Sequence, residues 1–135
     1  MKKILIPLIS LLISFNSIAG GIEKKGLVCE PTVNANVESF YFWFQNGKVK
    51  PIEIEGYGIN WDNPEDSYIE DGTNIIKLKH WYMSKNWRLR INRQSLIMSN
   101  NHNSLEWQCA VVSSKEEMTY LLNLVIDTAK KINKI

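Results

Sequence analysis

Cys29 and Cys109 are the two cysteines of this chain, and each keeps step with an alternating apolar pattern. Leu27 and Cys29 share one side of an early β-prone stretch, and Leu105, Trp107, Cys109 and Val111 share one side of a late one. Side chains along a strand alternate between faces, so both thiols fall on the apolar side. A catalytic thiol needs a histidine and a lowered pKa. A zinc site needs further soft ligands at close spacing. Neither pattern is present, and a structural disulfide between Cys29 and Cys109, tying the first strand to the last, is expected. Closing so long a loop stabilises a fold by roughly 4 kcal/mol in the chain-entropy model.

Paired thiols imply an oxidising compartment, and the first residues agree. Lys2 and Lys3 precede an apolar run from Ile4 to Ile18, and Ser17-Ile18-Ala19 supplies the small residues of a cleavage site. The expectation is a signal peptide over residues 1–19 and one exported domain over 20–135, periplasmic or secreted. The run is short for a retained membrane span. Cys29 stands too far behind it, past Lys24 and Lys25, for a lipid-anchored exit. The net charge of +2 resides in Lys2 and Lys3, so the mature domain is formally neutral. That removes the bulk attraction to nucleic acid, and no nucleic-acid partner is expected. About 115 residues remain, enough for one core, and no later run is long and apolar enough to cross a bilayer.

Most of that domain reads as strands. Ser39 to Phe44 is aromatic and β-prone, Asn46-Gly47 is a strong hairpin signal, and Lys48 to Ile54 returns, with Pro51 marking an edge or a bulge. Both faces of Tyr41-Phe42-Trp43-Phe44 are apolar, and burial under a helix is the expected cover. Glu55 to Asp66 is loop-like, and Tyr68 to Glu70 is a short strand turning at Asp71-Gly72. Ile76, Leu78, His80 and Tyr82 share a face, as do Trp87, Leu89 and Ile91. A loop of Met83 to Asn86 sets Tyr82 opposite Trp87 and Leu78 opposite Ile91. Leu96 to Ser99 is a further strand. The period then changes. Ser113 or Ser114, with a glutamate three residues on, begins an amphipathic helix from Lys115 to Asn133, carrying Met118, Leu121, Leu122, Val125, Ala129 and Ile132 on one side. The fold class expected is mainly β: an antiparallel curved sheet or small barrel with one C-terminal helix packed on it.

Charge is segregated along the middle of the chain. From Glu53 to Asp71 every charge is negative, and from Lys77 to Arg93 every charge is positive. The expected hairpin register puts Lys77, Lys79 and Trp81 on one outward face with Arg88 and Arg90, with Lys79 opposite Arg90 and Trp81 opposite Arg88. A basic strip around an aromatic suits an acidic protein or glycan partner. The competing expectation is that the acidic segment folds over this face and neutralises it.

Other chemistry has little footing. The loop Asp62 to Asp66 matches no calcium pattern, since Pro64 falls where a ligand would stand. His80 lies on an apolar face and His102 among asparagines. Glu53 and Glu55 are a conceivable acid–base pair, with nothing in the sequence to place them in a cleft. No hydrolase elbow, zincin or phosphate-loop motif occurs. No enzymatic activity, cofactor or metal is expected.

Cys29, the Phe-rich hairpin ending at Asn46-Gly47-Lys48 and Gln108-Cys109 resemble the layout of the small periplasmic inhibitors of c-type lysozymes. The resemblance implies an exported β-barrel and, as a second functional expectation, inhibition of an extracytoplasmic hydrolase. That family's Ser-Gly-x-x-Tyr inhibitory loop is missing. Asp71-Gly72-Thr73-Asn74-Ile75 stands nearest and lacks both serine and tyrosine, so no inhibitory residue carries over. The C-terminal helix is also foreign to the family. The leading expectation is a small exported binding protein using Lys77, Lys79, Trp81, Arg88 and Arg90; an envelope assembly subunit using the aromatic strand is a third.

Overall fold

The computed structural model describes residues 21–32, 37–71, 75–79, 88–100 and 105–133. The expected signal peptide, His80, Trp81, Tyr82, the loop from Met83 to Asn86, Trp87 and His102 lie outside the described residues. Among the described residues nine strands precede one helix: β1 (Lys25–Pro31), β2 (Phe40–Gln45), β3 (Lys48–Glu55), β4 (Gly58–Asn60), β5 (Asp66–Asp71), β6 (Ile75–Lys79), β7 (Arg88–Asn92), β8 (Ile97–Asn100), β9 (Glu106–Val112) and α1 (Lys115–Asn133). The sheet runs β2-β1-β9-β8-β7-β6-β5-β3-β4, with β2 also paired to β3. Pairing therefore returns to its starting strand and curls the sheet into a barrel-like ring, from which β4 projects as a hairpin on β3. All pairings are antiparallel. The weakest seam is β3–β5, held by Lys48↔Ser67 and Val49↔Asp66 alone.

The disulfide forms as expected. Cys29 and Cys109 stand directly opposite each other on β1 and β9, with Cα atoms 4.0 Å apart, and both are fully buried. Around them the ring's interior holds Leu27, Phe40, Phe42, Phe44, Ile76, Leu78, Leu89, Ile91, Met98 and Trp107. Phe40 meets Trp107 edge-on at 5.3 Å, and Phe44 meets Tyr68 edge-on at 5.1 Å. The Trp107 indole N–H donates to the Glu38 carbonyl at 2.9 Å, which satisfies the one polar atom of that ring.

Alternation sends the other residues of β2 outward, and α1 covers them. Trp43, Val28, Ile52, Ala110 and Val112 pack against Met118, Leu121 and Leu122, with Tyr41 half-buried at the margin. The aromatic strand is thus divided: its phenylalanines fill the ring, and Tyr41 and Trp43 lie on the helix side. The expectation of burial under the helix holds for that second face only.

Local chemistry accounts for the boundaries. Asn46 and Gly47 both have positive φ, 57° and 71°, as a type I′ two-residue turn requires. Counting from that turn, the Pro51 nitrogen faces away from β2, where β3 has no strand neighbour, so the missing N–H breaks no ladder bond. Its carbonyl, on the same side, accepts from Asn63 Nδ2 at 3.1 Å. The segment read as a loop from Glu55 to Asp66 instead contains β4, because Gly56, with φ of 61°, turns the chain tightly enough for Glu55↔Gly58 pairing. The strand expected from Leu96 begins at Ile97, since Leu96 takes a left-handed backbone with φ of 59°. At α1, Ser114 Oγ accepts from the Glu117 N–H at 3.0 Å, while the Glu117 carboxylate accepts from the Ser113 N–H and hydroxyl. The start of α1 is thereby fixed at the residue the capping pattern indicates.

Candidate functional site

The basic residues sit on neighbouring strands in a register different from the one expected. Lys77 pairs with Arg90, Lys79 with Arg88, Leu78 with Leu89 and Ile76 with Ile91. The ladder is displaced by two residues, and the expected Lys79–Arg90 and Trp81–Arg88 oppositions are corrected accordingly. A two-residue displacement keeps every residue on its own face. Ile76, Leu78, Leu89 and Ile91 are buried in the ring, and the four cationic positions alternate with them. The result is two like-charged oppositions where one was expected, and each costs stability unless a counter-charge relieves it. Arg90 is exposed and forms no ion pair among the described residues. Its neighbour on β8 is Ser99. On the other side of the ladder, Lys77 neighbours Ile69, which is 62 % exposed.

The acidic segment has contacts on β3, and its end, β5, pairs with β6. Asn63 Nδ2 bonds to the Pro51 carbonyl and to Glu53 Oε1, so the loop carrying Asp62 lies against β3. Asp66 accepts from the N–H of its neighbour Ser67. Glu70 does reach a cation: Arg93 Nη1, at 3.9 Å, at one end of the β5–β7 wall. An ion pair that long, with a half-exposed carboxylate, contributes little. It does not involve the Lys77–Arg90 or Lys79–Arg88 positions.

Glu53 and Glu55 have a setting that the sequence does not reveal. With Glu38 they line a cleft of about 460 Å³ bordered by the start of β2, by β3 and the turn after it, and by Val125 and Ala129 of α1. Beside it Ser39 donates a short hydrogen bond to the Glu30 carboxylate, which is buried. Burial raises the Tyr41 phenol pKa well above its ordinary value; the negative Glu30 nearby adds to that, and a hydrogen bond with Ser39 opposes it. Sequence reasoning missed this cleft because its walls come from three separate segments. The one signal available was the run of negative charge beginning at Glu53.

A third feature is Lys115, whose ammonium lies 5.7 Å from the centroid of Trp43 and 6.0 Å from that of Trp61. Both indoles thus hold a cation supplied by the chain itself. Among the described residues no group of three or more His, Cys, Asp or Glu could hold a metal ion, and no helix is long and apolar enough to cross a membrane. Compared with family models, curated proteins and solved structures, the chain matches none of them.

Proposed function

We propose that the chain is exported, oxidised across Cys29 and Cys109, and works as a binding protein that takes an acidic protein or glycan on the outer side of β6 and β7. The observation that carries this reading is the pair of like-charged oppositions, Lys77↔Arg90 and Lys79↔Arg88, on adjacent strands. A carboxylate or sulfate placed between two such pairs removes a repulsion that the free protein bears. A buried disulfide fits an oxidising compartment.

The mature domain is formally neutral, so retention on a polyanion requires a local patch and cannot come from bulk charge. The test is chromatography of the mature protein on immobilised heparin and on immobilised polyglutamate. The expected result is retention on at least one of them, reversed by salt, and loss of retention in the double variant Arg88→Glu with Arg90→Glu. Passage of the wild type through both columns unretarded, or unchanged retention of the double variant, overturns the proposal.

A further inference from the structure

The outer side of β6 and β7 changes character from one end to the other. Asp71, Ile75 and Asn92 stand side by side in one row across the strands. Ile69, Lys77, Arg90 and Ser99 form the next. Lys79 and Arg88 form the one after it. These positions alternate along their strands with the buried Ile76, Leu78, Leu89, Ile91 and Met98, so they belong to the outer face. The face is apolar at one end and cationic over the two rungs that follow. Ile69 is 62 % exposed, more than any other large apolar residue described, and it borders the first cationic rung. Arg90 is exposed as well. Asp71 stands beside Ile75, so the apolar end also carries a negative charge that repels a carboxylate.

Spacing and exposure discriminate between the two classes of acidic ligand. Same-face residues of a strand recur about every 6.8 Å, and neighbouring strands lie about 4.8 Å apart. The two cationic rungs are therefore about 6.8 Å apart along β6 and β7. An extended peptide laid along these strands repeats its own same-side residues at that interval, so carboxylates two residues apart meet one rung each. The same-side residue two places before the first carboxylate then stands over Ile75, on the diagonal to Ile69. A glycan has no aliphatic side chain with which to cover Ile69.

On the reading of this face as the binding surface, we propose that its ligand is an extended acidic segment of a protein with the order aliphatic-x-acid-x-acid. One carboxylate lies over Lys77 and Arg90, the next lies over Lys79 and Arg88, and the aliphatic side chain covers Ile69.

The test is calorimetric titration of the mature protein with the end-blocked peptide Gly-Leu-Thr-Glu-Thr-Glu-Gly and with its rearrangement Gly-Glu-Glu-Thr-Thr-Leu-Gly, which has the same composition and charge. The ordered peptide is expected to bind at millimolar concentration or below, at least about threefold more tightly than the rearranged one. Ile69→Thr keeps a β-branched residue at an exposed strand position and is expected to melt like the wild type. It is expected to weaken the ordered peptide at least about threefold and to leave retention on heparin unchanged. No binding of the ordered peptide up to about 10 mM, equal affinity for the two peptides, or full affinity in Ile69→Thr each overturns the proposal. If heparin retention that depends on Arg88 and Arg90 accompanies such a result, the binding face stands and its ligand is a glycan. Absence of retention on both heparin and polyglutamate removes the face itself.

Discussion

Gly26 shows how little space separates the two cores. It lies on β1 where α1 crosses, and a Cβ placed there would stand 2.5 Å from Met118 Cε, 2.9 Å from the Phe42 carbonyl oxygen and 3.0 Å from Trp43 Cε3. The methionine tip can move aside, but the Phe42 carbonyl belongs to the neighbouring strand and cannot. Gly26→Ala is therefore expected to destabilise the protein by about 1–3 kcal/mol, the usual cost of overpacking. A fall in the urea midpoint at unchanged m-value checks this. An unchanged midpoint would mean that the helix lies farther from β1. The sequence gives no warning of this contact. One glycine before Leu27 looks like a turn residue, and the contact exists because α1 returns from the far end of the chain. Cys29 is the opposite case: its phase with Leu27, and the phase of Cys109 with Trp107, already put both thiols in the core.

Elements were legible where a pattern had an end signal. α1 runs from Lys115 to Asn133 as its capping serine and its period indicate, and β2 and β3 meet at Asn46-Gly47. The β6–β7 register was not legible, for a physical reason: apolar alternation repeats every two residues, so a two-residue slip matches apolar to apolar just as well. Only the loop could have decided it, and Met83 to Asn86 carries no turn chemistry strong enough. The β3–β5 seam illustrates a second kind of blindness, since two residue pairs hold it and a side chain from outside the sheet reinforces it. The Glu23 carboxylate accepts from the Gly47 N–H at 3.0 Å and from the Tyr68 hydroxyl, joining the β2–β3 turn to β5. The Tyr68 hydrogen bond is the main reason the Glu23 pKa lies below its ordinary value, with the turn amides assisting and desolvation opposing. A lowered folded pKa means that this stabilisation is complete above the ordinary carboxylate range and is lost as pH falls through the lowered value. Melting temperature is expected to drop on acidification through that window, and to drop less in Glu23→Gln. The exposed position keeps the effect below about 1 kcal/mol. Equal acid slopes in the two proteins would show that Glu23 does not hold the seam.

At the scale of the whole molecule the ring unites residues far apart in sequence, and the disulfide lies at the centre of the longest such connection. Cys29 and Cys109 are 80 residues apart, yet β1 and β9 are paired from Gly26↔Val112 to Pro31↔Trp107 and flanked by β2 and β8. The backbone ladder already enforces their proximity in the folded state. The bond therefore acts mainly on the unfolded chain, where it removes the freedom of a loop that long, worth about 4–5 kcal/mol in the entropic model. Single domains are stable by roughly 5–15 kcal/mol, so a large share of the margin, from about a third upward, depends on it. The double variant Cys29→Ala with Cys109→Ala is expected to keep the β-rich far-ultraviolet spectrum and to unfold at a much lower urea concentration. Its m-value should be larger, because an uncrosslinked chain exposes more surface when it unfolds. The sulfurs are fully buried, so reductant should act on the wild type only as fast as the ring opens, and slowly in the absence of denaturant. If the double variant instead matches the wild type in midpoint and m-value, the β1–β9 ladder alone holds the ring, and the crosslink adds nothing to it.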